Sequence, residues 1–247
     1  MGTISVVTSG KGGAGKSTVT AGLGGALARE GHTVLLIDGD AGLRSLDLLL
    51  GISSTVVYDL ADVMAGRCEP SHAIYASPIY PGVFILPAPI QLERLCSPAD
   101  LRRLCRGLSR WYDHVIVDCP AGVGRGFETA IAGAEQALVV TTPDMVCARD
   151  AQIVSQLLDQ KKIPSRLIIN RLRPRPVMKG KMPDIDEIID TAGVRLIGVI
   201  PEDERVAVAG AYGRPLPVDA AASLCFRNVA RRLLGADLPL ADLAAFK

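Results

Sequence analysis

Short aliphatic runs recur along the chain at Ile4 to Val7, Thr33 to Ile37, Val83 to Leu86, Val115 to Val117, Ala137 to Thr141, Leu167 to Ile169 and Leu196 to Ile200. Runs this short and this continuous predict strands buried on both faces, because a half-buried strand would alternate apolar with polar residues. Between several of them lie segments of helical period, notably Ser17 to Glu30, Pro98 to Arg110, Ala148 to Gln160 and Ala220 to Leu234. Strands that alternate with helices predict βαβ units with right-handed crossovers. The expected fold is therefore α/β, a mostly parallel twisted sheet with helices on both faces. Ligands of such sheets sit outside the carboxyl ends of the strands, so the residues just after each run are the candidates for chemistry.

Composition supports this picture. Hydrophobic residues make up 49% of the 247 residues and charged residues 21%, enough to bury a large core and too apolar for a disordered chain. With aromatics at only 4%, the core is expected to be built from Val, Ile, Leu and Ala. No internal repeat, low-complexity tract or linker marks a boundary, so a single domain over 1–247 is expected, with 236–247 as a peripheral tail. The near balance of 27 basic and 26 acidic side chains argues against binding nucleic acid through gross charge. The amino terminus lacks the charged and apolar regions of a secretory signal, and no run of about 18 apolar residues spans a bilayer. Six cysteines without C-x-x-C pairing are expected to be reduced thiols, which together with these absences predicts a cytoplasmic protein.

The run at Ile4 to Val7 is followed by Gly10-Lys11-Gly12-Gly13-Ala14-Gly15-Lys16-Ser17-Thr18 and then by a helix. This satisfies G-x-x-x-x-G-K-[ST] in the strand-before, helix-after context of a phosphate-binding loop. Its glycines let backbone N–H groups close on phosphate oxygens, and the helix amino terminus adds about half a positive charge. Residues 10–18 are thus the predicted nucleotide cradle. Within it Lys16 reaches the β and γ phosphates of ATP, and the Ser17 hydroxyl coordinates Mg²⁺.

Carboxylates follow two later strands. The run Thr33 to Ile37 ends in Asp38-Gly39-Asp40, two aspartates that strand alternation would point the same way. That spacing suits a magnesium contact by Asp38 and water positioning by Asp40. Val115 to Val117 delivers Asp118-Cys119-Pro120-Ala121-Gly122, an aliphatic strand ending in a carboxylate rigidly held for the magnesium shell.

Lys11 is a second cation in the loop. With it the motif resembles the deviant Walker A family, K-G-G-x-G-K-[ST]-T, which includes the MinD and ParA ATPases and the iron protein of nitrogenase. The resemblance implies that Lys11 crosses a dimer interface to the partner's nucleotide and supplies charge to the transition state there. The string from Asp38 to Asp47 is similar to D-x-D-x-G-L-R-N-L-D of the MinD septum site-determining ATPases, with Ser45 replacing Asn. Val57-Tyr58-Asp59-Leu60, Thr141-Thr142-Pro143-Asp144, Ile169-Asn170-Arg171 and the stretch Gly198 to Asp203 extend the likeness from Ile4 to about Gly235. It implies that Asn170, Pro201 and Asp203 surround the adenine, although Pro201 and Asp203 are equally suited to end a strand and cap a helix.

The family resemblance also implies an ATP-dependent homodimer that hydrolyses ATP to ADP. Implied partners are a MinC-like septum inhibitor and a MinE-like or polar-scaffold regulator, with peripheral contact at the inner face of the cell membrane. The last twelve residues offer Leu240, Leu243 and Phe246 but two aspartates against one lysine, a weak interfacial anchor. The arginines of Pro98 to Arg110 read as a solvated helix face, and Arg171-Leu172-Arg173-Pro174-Arg175-Pro176 as a proline-broken basic loop. Alternative readings are a ParA-like segregation ATPase, which would need a basic surface for DNA, and a flagellar-placement relative, usually extended before its loop where only nine residues precede Gly10 here. An iron-protein-like redox ATPase would draw on Cys96 and Cys119, but no cysteine follows in the turn Gly122 to Gly126.

Overall fold

All seven aliphatic runs form strands. The computed structural model describes residues 1–42, 44–90 and 96–241. In chain order these form β1 (Thr3–Thr8), α1 (Lys16–Arg29), β2 (Val34–Asp38), α2 (Ser45–Leu49), α3 (Leu60–Met64), β3 (Tyr75–Ala76), β4 (Val83–Leu86) and α4 (Pro98–Leu108). There follow β5 (His114–Asp118), α5 (Arg125–Ile131), β6 (Gln136–Thr141), α6 (Met145–Gln160), β7 (Ser165–Leu172), α7 (Pro174–Met178), α8 (Ile185–Ala192), β8 (Leu196–Pro201), α9 (Glu204–Ala211) and α10 (Ala221–Leu233). The sheet order is β3-β4-β2-β5-β1-β6-β7-β8, parallel except for the two-residue β3, which runs antiparallel to β4 at one edge.

Two separate cores follow from the alternation of side chains along each strand. Val6, Leu35, Val117, Val139 and Ile169 face one way and meet Leu101, Phe127, Val154 and Ile188 of α4, α5, α6 and α8. Their neighbours Val7, Leu36, Ile116, Leu138 and Ile168 face the other way and meet Leu23, Leu46, Ala209 and Phe226 of α1, α2, α9 and α10. Helices therefore cover both faces, and the strands need aliphatic residues at every position. This is why they read as runs without a period.

The long helices lie where periodicity predicts them, with shifted ends. α6 starts three residues early, at Met145, because the Asp144 carboxylate accepts hydrogen bonds from the backbone N–H groups of Val146 and Cys147. Six short helices carry too few turns to show a period. Two of them, α3 and α8, open on capping boxes formed by Asp59 with Asp62 and by Asp184 with Glu187. The basic stretch after Asn170 is not all loop, since Pro174 and Pro176 sit in the short helix α7, with Pro174 at its first position, where no N–H is needed. At the far edge Arg232 donates to the carbonyls of Ile197, Leu238 and Pro239, tying residues 238 and 239 to β8. Leu43, Leu243, Phe246 and the other residues from 242 onward lie outside the described residues.

Candidate functional site

The phosphate loop leaves the carboxyl end of β1, a central strand flanked by β5 and β6. Gly13 and Gly15 adopt φ of 84° and 89°, the left-handed region that favours glycine. Gly15 is also the N-cap of α1, and no side chain caps that helix; its first turn holds no acidic residue. The orphan N–H groups and the positive helix end thus face the loop with no internal anion to neutralise them. A Cβ on Gly15 would lie 2.4 Å from Asn170 Nδ2, and one on Gly10 would lie 2.5 Å from the Asp150 carbonyl oxygen, so both glycines are also required by close approach.

Lys16 is buried under the loop, whereas Lys11 is exposed. Lys11 lies near Asp144, whose carboxyl is held below its usual range mainly by the Cys147 N–H and partly by the Lys11 charge. Ser17 and Thr18 are half-buried in the first turn of α1. Thr18 faces Leu49 and Phe226, on the side of α1 that meets α10.

Asp38 and Asp118 end adjacent strands, directly opposite one another in the parallel register, and both are fully buried. Burial comes first and the neighbouring Asp118 charge second in raising the Asp38 carboxyl to about 7. Asp118 is raised to about 6 by burial, against the lowering effects of the Ser17 and Thr20 hydroxyls and of Lys16. Its Oδ1 accepts from Thr20 Oγ1 at 3.1 Å, while among the described residues no hydrogen bond reaches its Oδ2.

Contrary to the expectation from the D-x-D spacing, Asp40 does not share a strand face with Asp38. β2 stops at Asp38, whose carboxylate accepts the Asp40 N–H at 3.0 Å and the Leu46 N–H at 3.4 Å and so turns the chain out of the sheet. Asp40 is instead a half-buried loop residue near Lys16, raised by desolvation and lowered by the Lys16 charge.

Of the three residues expected around the adenine, Asn170 lies on β7 and Pro201 and Asp203 at the end of the adjacent β8, where Leu172 pairs with Pro201. Asn170, buried at the end of β7, donates from Nδ2 to the Ala14 carbonyl at 2.9 Å and braces the loop. Pro201 ends β8, and Asp203 caps α9 while paired with Arg205 at 3.1 Å. Pro201 and Asp203 line a cavity of about 730 Å³ beside Arg173 and Arg175.

Two residues escape a reading by motif. Thr20 is buried one turn into α1 and ties Asp118 to the Lys16 carbonyl through its hydroxyl. Its place four residues beyond Lys16, on the same helix face, is the signal that would have found it. Ser45, the departure from the family string, donates its hydroxyl to the Ser17 hydroxyl at 3.2 Å. Cys119, which follows Asp118, is fully buried, and its thiol is pushed up to about 12 by burial.

The donor set fits a magnesium ion. Two buried carboxylates repel one another, one of their oxygens lacks a partner, and the Ser17 hydroxyl stands beside them; hard oxygen ligands of this kind suit Mg²⁺. Among the described residues no three His, Cys, Asp or Glu side chains converge, so phosphate and water oxygens would complete the shell.

Residues 5–216 match the family described as the CobQ/CobB/MinD/ParA nucleotide binding domain. The chain is 43% identical to the septum site-determining protein MinD of a Synechocystis species, over 99% of this chain and 94% of that protein. It superposes on MinD in the MinC:MinD cell division protein complex of Aquifex aeolicus with a TM-score of 0.90 and 35% identity, covering 97% of this chain and 98% of that one. MinD of Pyrococcus horikoshii complexed with Mg-ADP gives a TM-score of 0.86 and 30% identity over 96% of this chain and 100% of that chain.

Proposed function

This chain belongs to the CobQ/CobB/MinD/ParA nucleotide-binding family, and from that premise we propose that it is a MinD-type ATPase, one domain that dimerises on Mg-ATP and regulates division-septum placement. The observation that carries the reading is the pair Asp38 and Asp118, buried side by side beneath an uncapped phosphate loop with one carboxylate oxygen unsatisfied. Such an arrangement is costly unless a cation and phosphates complete it.

The roles follow from position. Backbone N–H groups of residues 10–18 and the start of α1 hold the phosphates, and Lys16 neutralises the β and γ oxygens from below. Ser17 would hold magnesium directly with Asp38 and Asp118 behind it, and the ion would supply charge neutralisation at the transferring phosphate. Asp40, half-buried beside Lys16, orients the attacking water, whose oxygen bonds to the γ-phosphorus as the bond to the ADP oxygen breaks. Lys11 is exposed and free to reach a nucleotide on a second subunit, adding charge to the transition state only in the dimer. Asn170 holds the loop in shape, and Pro201 and Asp203 bound the space for the base.

The nucleotide-gated dimer would recruit a MinC-like inhibitor, as the Aquifex complex pairs MinC with MinD, and slow hydrolysis stimulated by a MinE-like or polar-scaffold regulator would reset it. No helix among the described residues is long and apolar enough to cross a membrane, so contact with the inner membrane face would be peripheral.

Light scattering and phosphate release with ATP test this reading. Lys11→Ala should bind ATP as a monomer and lose turnover by about a thousandfold. Full activity in that variant would refute the cross-subunit role. Lys16→Ala should weaken ATP binding itself, and unchanged affinity would refute the loop assignment.

A further inference from the structure

A second concave surface lies between α3 and α4, apart from the nucleotide site. It encloses about 880 Å³, floored by Met64, Ile74, Leu104 and Tyr112, side chains that also pack against the α4 core. At one end Trp111, the only tryptophan of the chain, is 81% exposed. The groove follows α4 from Asp100 to Leu108, about 12 Å at 1.5 Å per residue, and continues past the helix end to Arg110 and Trp111.

Three further observations say what fills it. Arg103 of α4 and Arg110, just beyond its end, line the groove and are exposed, and Arg106, three residues after Arg103, is exposed as well. Only Arg103 has an acidic neighbour, Asp100 at 3.6 Å; among the described residues no carboxylate pairs with Arg106 or Arg110. Gly107 lies in the exposed helix between Leu104 and Trp111, where glycine weakens a helix, yet a Cβ there would meet nothing within 4 Å. Nothing described within this chain needs a glycine at that position, whereas a foreign backbone crossing α4 would.

We propose that this groove docks an acidic amphipathic helix of a partner protein, its apolar face on Leu104 and Trp111, its backbone crossing at Gly107 and its carboxylates paired with Arg110 and Arg103, the two arginines that line it. Exposed Trp and Arg are the side chains that most often anchor such contacts. The concavity favours a helix over a bilayer, because a flat surface cannot fill it. Trp111 precedes β5, at the sheet end opposite the phosphate loop, so docking should be indifferent to the nucleotide.

Trp111 emission reports occupancy directly. The probe is a synthetic fifteen-residue peptide of Leu, Glu and Ala with Leu at i, i+3, i+4 and i+7, titrated into the full chain with ADP or ATP and followed in parallel by calorimetry. A saturable blue shift of similar midpoint in both nucleotides is expected. Arg103→Glu and Arg110→Glu should each weaken it about tenfold. Gly107→Leu should raise thermal stability while abolishing binding, which separates loss of the groove from loss of the fold. An absent shift, or equal affinity for the same peptide with Lys replacing Glu, overturns the proposal. So does a shift seen only with phosphatidylglycerol vesicles, or Trp111 burial that rises with protein concentration alone and so assigns the groove to a second copy. Asp118→Asn should bind the peptide normally, so failure here and failure of the ATPase reading are distinguishable.

Discussion

β5 carries an aspartate next to each of its ends, and the two are opposites. Asp113, just before the strand, is exposed and accepts hydrogen bonds from the Thr33 N–H at 2.7 Å and the Thr33 hydroxyl at 2.8 Å. Those bonds, the backbone one foremost, hold its carboxyl below the usual range. Asp118, the last residue of the strand, is buried beside Asp38 with an oxygen unsatisfied, and burial raises it to about 6. One end of the strand is settled by its own neighbours and stabilises the fold. The other is left incomplete for something that is not protein, and the fold bears a cost there that a cation and phosphates can offset.

The strongest test of that contrast exchanges one oxygen for nitrogen. Asp118→Asn should lower ATP turnover by at least about a hundredfold, because a neutral amide no longer supports the cation. The same change should raise the melting temperature of the nucleotide-free protein at pH 8 by about 2–4 °C, as relief of repulsion on Asp38 is worth about 1 kcal/mol in a chain this long. Lower stability together with intact turnover would dissolve the contrast.

Next in size is the dependence on pH. A carboxyl raised in the folded state binds more protons there than in the unfolded chain, so its favourable contribution is present at low pH and lost as pH rises through the folded value. For Asp38 and Asp118 that window runs from about the unfolded value of 3.8 to about 7 and about 6, and the two titrate as a pair. Nucleotide-free protein should therefore lose up to about 1.4 kcal/mol per pH unit for each group across that interval. Mg-ATP binding near pH 6.5 should release protons, measurable as a dependence of calorimetric heat on the ionisation enthalpy of the buffer. Asp113 has the opposite sign, stabilising above the unfolded value of 3.8 and losing that contribution as pH falls through its lower folded value.

Asp113→Ala probes the settled end. Turnover should stay within about twofold of wild type, while the melting temperature falls by about 2–4 °C for a lost interaction of about 1 kcal/mol. A turnover defect would show that the two ends are coupled. The smallest effect is expected of Ser45→Asn, which restores the family string beside Ser17. Turnover should change by less than about threefold, measured by phosphate release at saturating Mg-ATP, since an amide can take up the same hydroxyl contact.

The same division governs what was legible in the sequence. The loop from Gly10 to Thr18 and the aspartates after β2 and β5 could be read directly, because each lies at a strand end where chemistry collects and each is marked by residue types that have no other reason to be there. The two-sided core could also be read, since strands covered on both faces must be continuously aliphatic. Asp40 keeps its place near Lys16 but not on a strand, because alternation assumes a strand that continues, whereas the Asp38 carboxylate captures the Asp40 N–H and ends β2. Thr20 was missed because its partner Asp118 lies 98 residues away. The six short helices lack a period, although the capping boxes at Asp59 and Asp184 were present to be read.

By itself, then, the sequence determined the kind of ligand and the class of fold: spacing within nine residues makes a phosphate loop, and local apolar pattern makes strands and helices. Tertiary structure alone decided which carboxylates become neighbours, that Asn170 braces the loop at Ala14, and that α3 and α4 leave a groove that Arg103 and Arg110 line. The reason is range. Backbone geometry and hydrophobic period act over a few residues, whereas the burial and mutual repulsion that shift Asp38 to about 7 exist only once strands distant in sequence lie side by side.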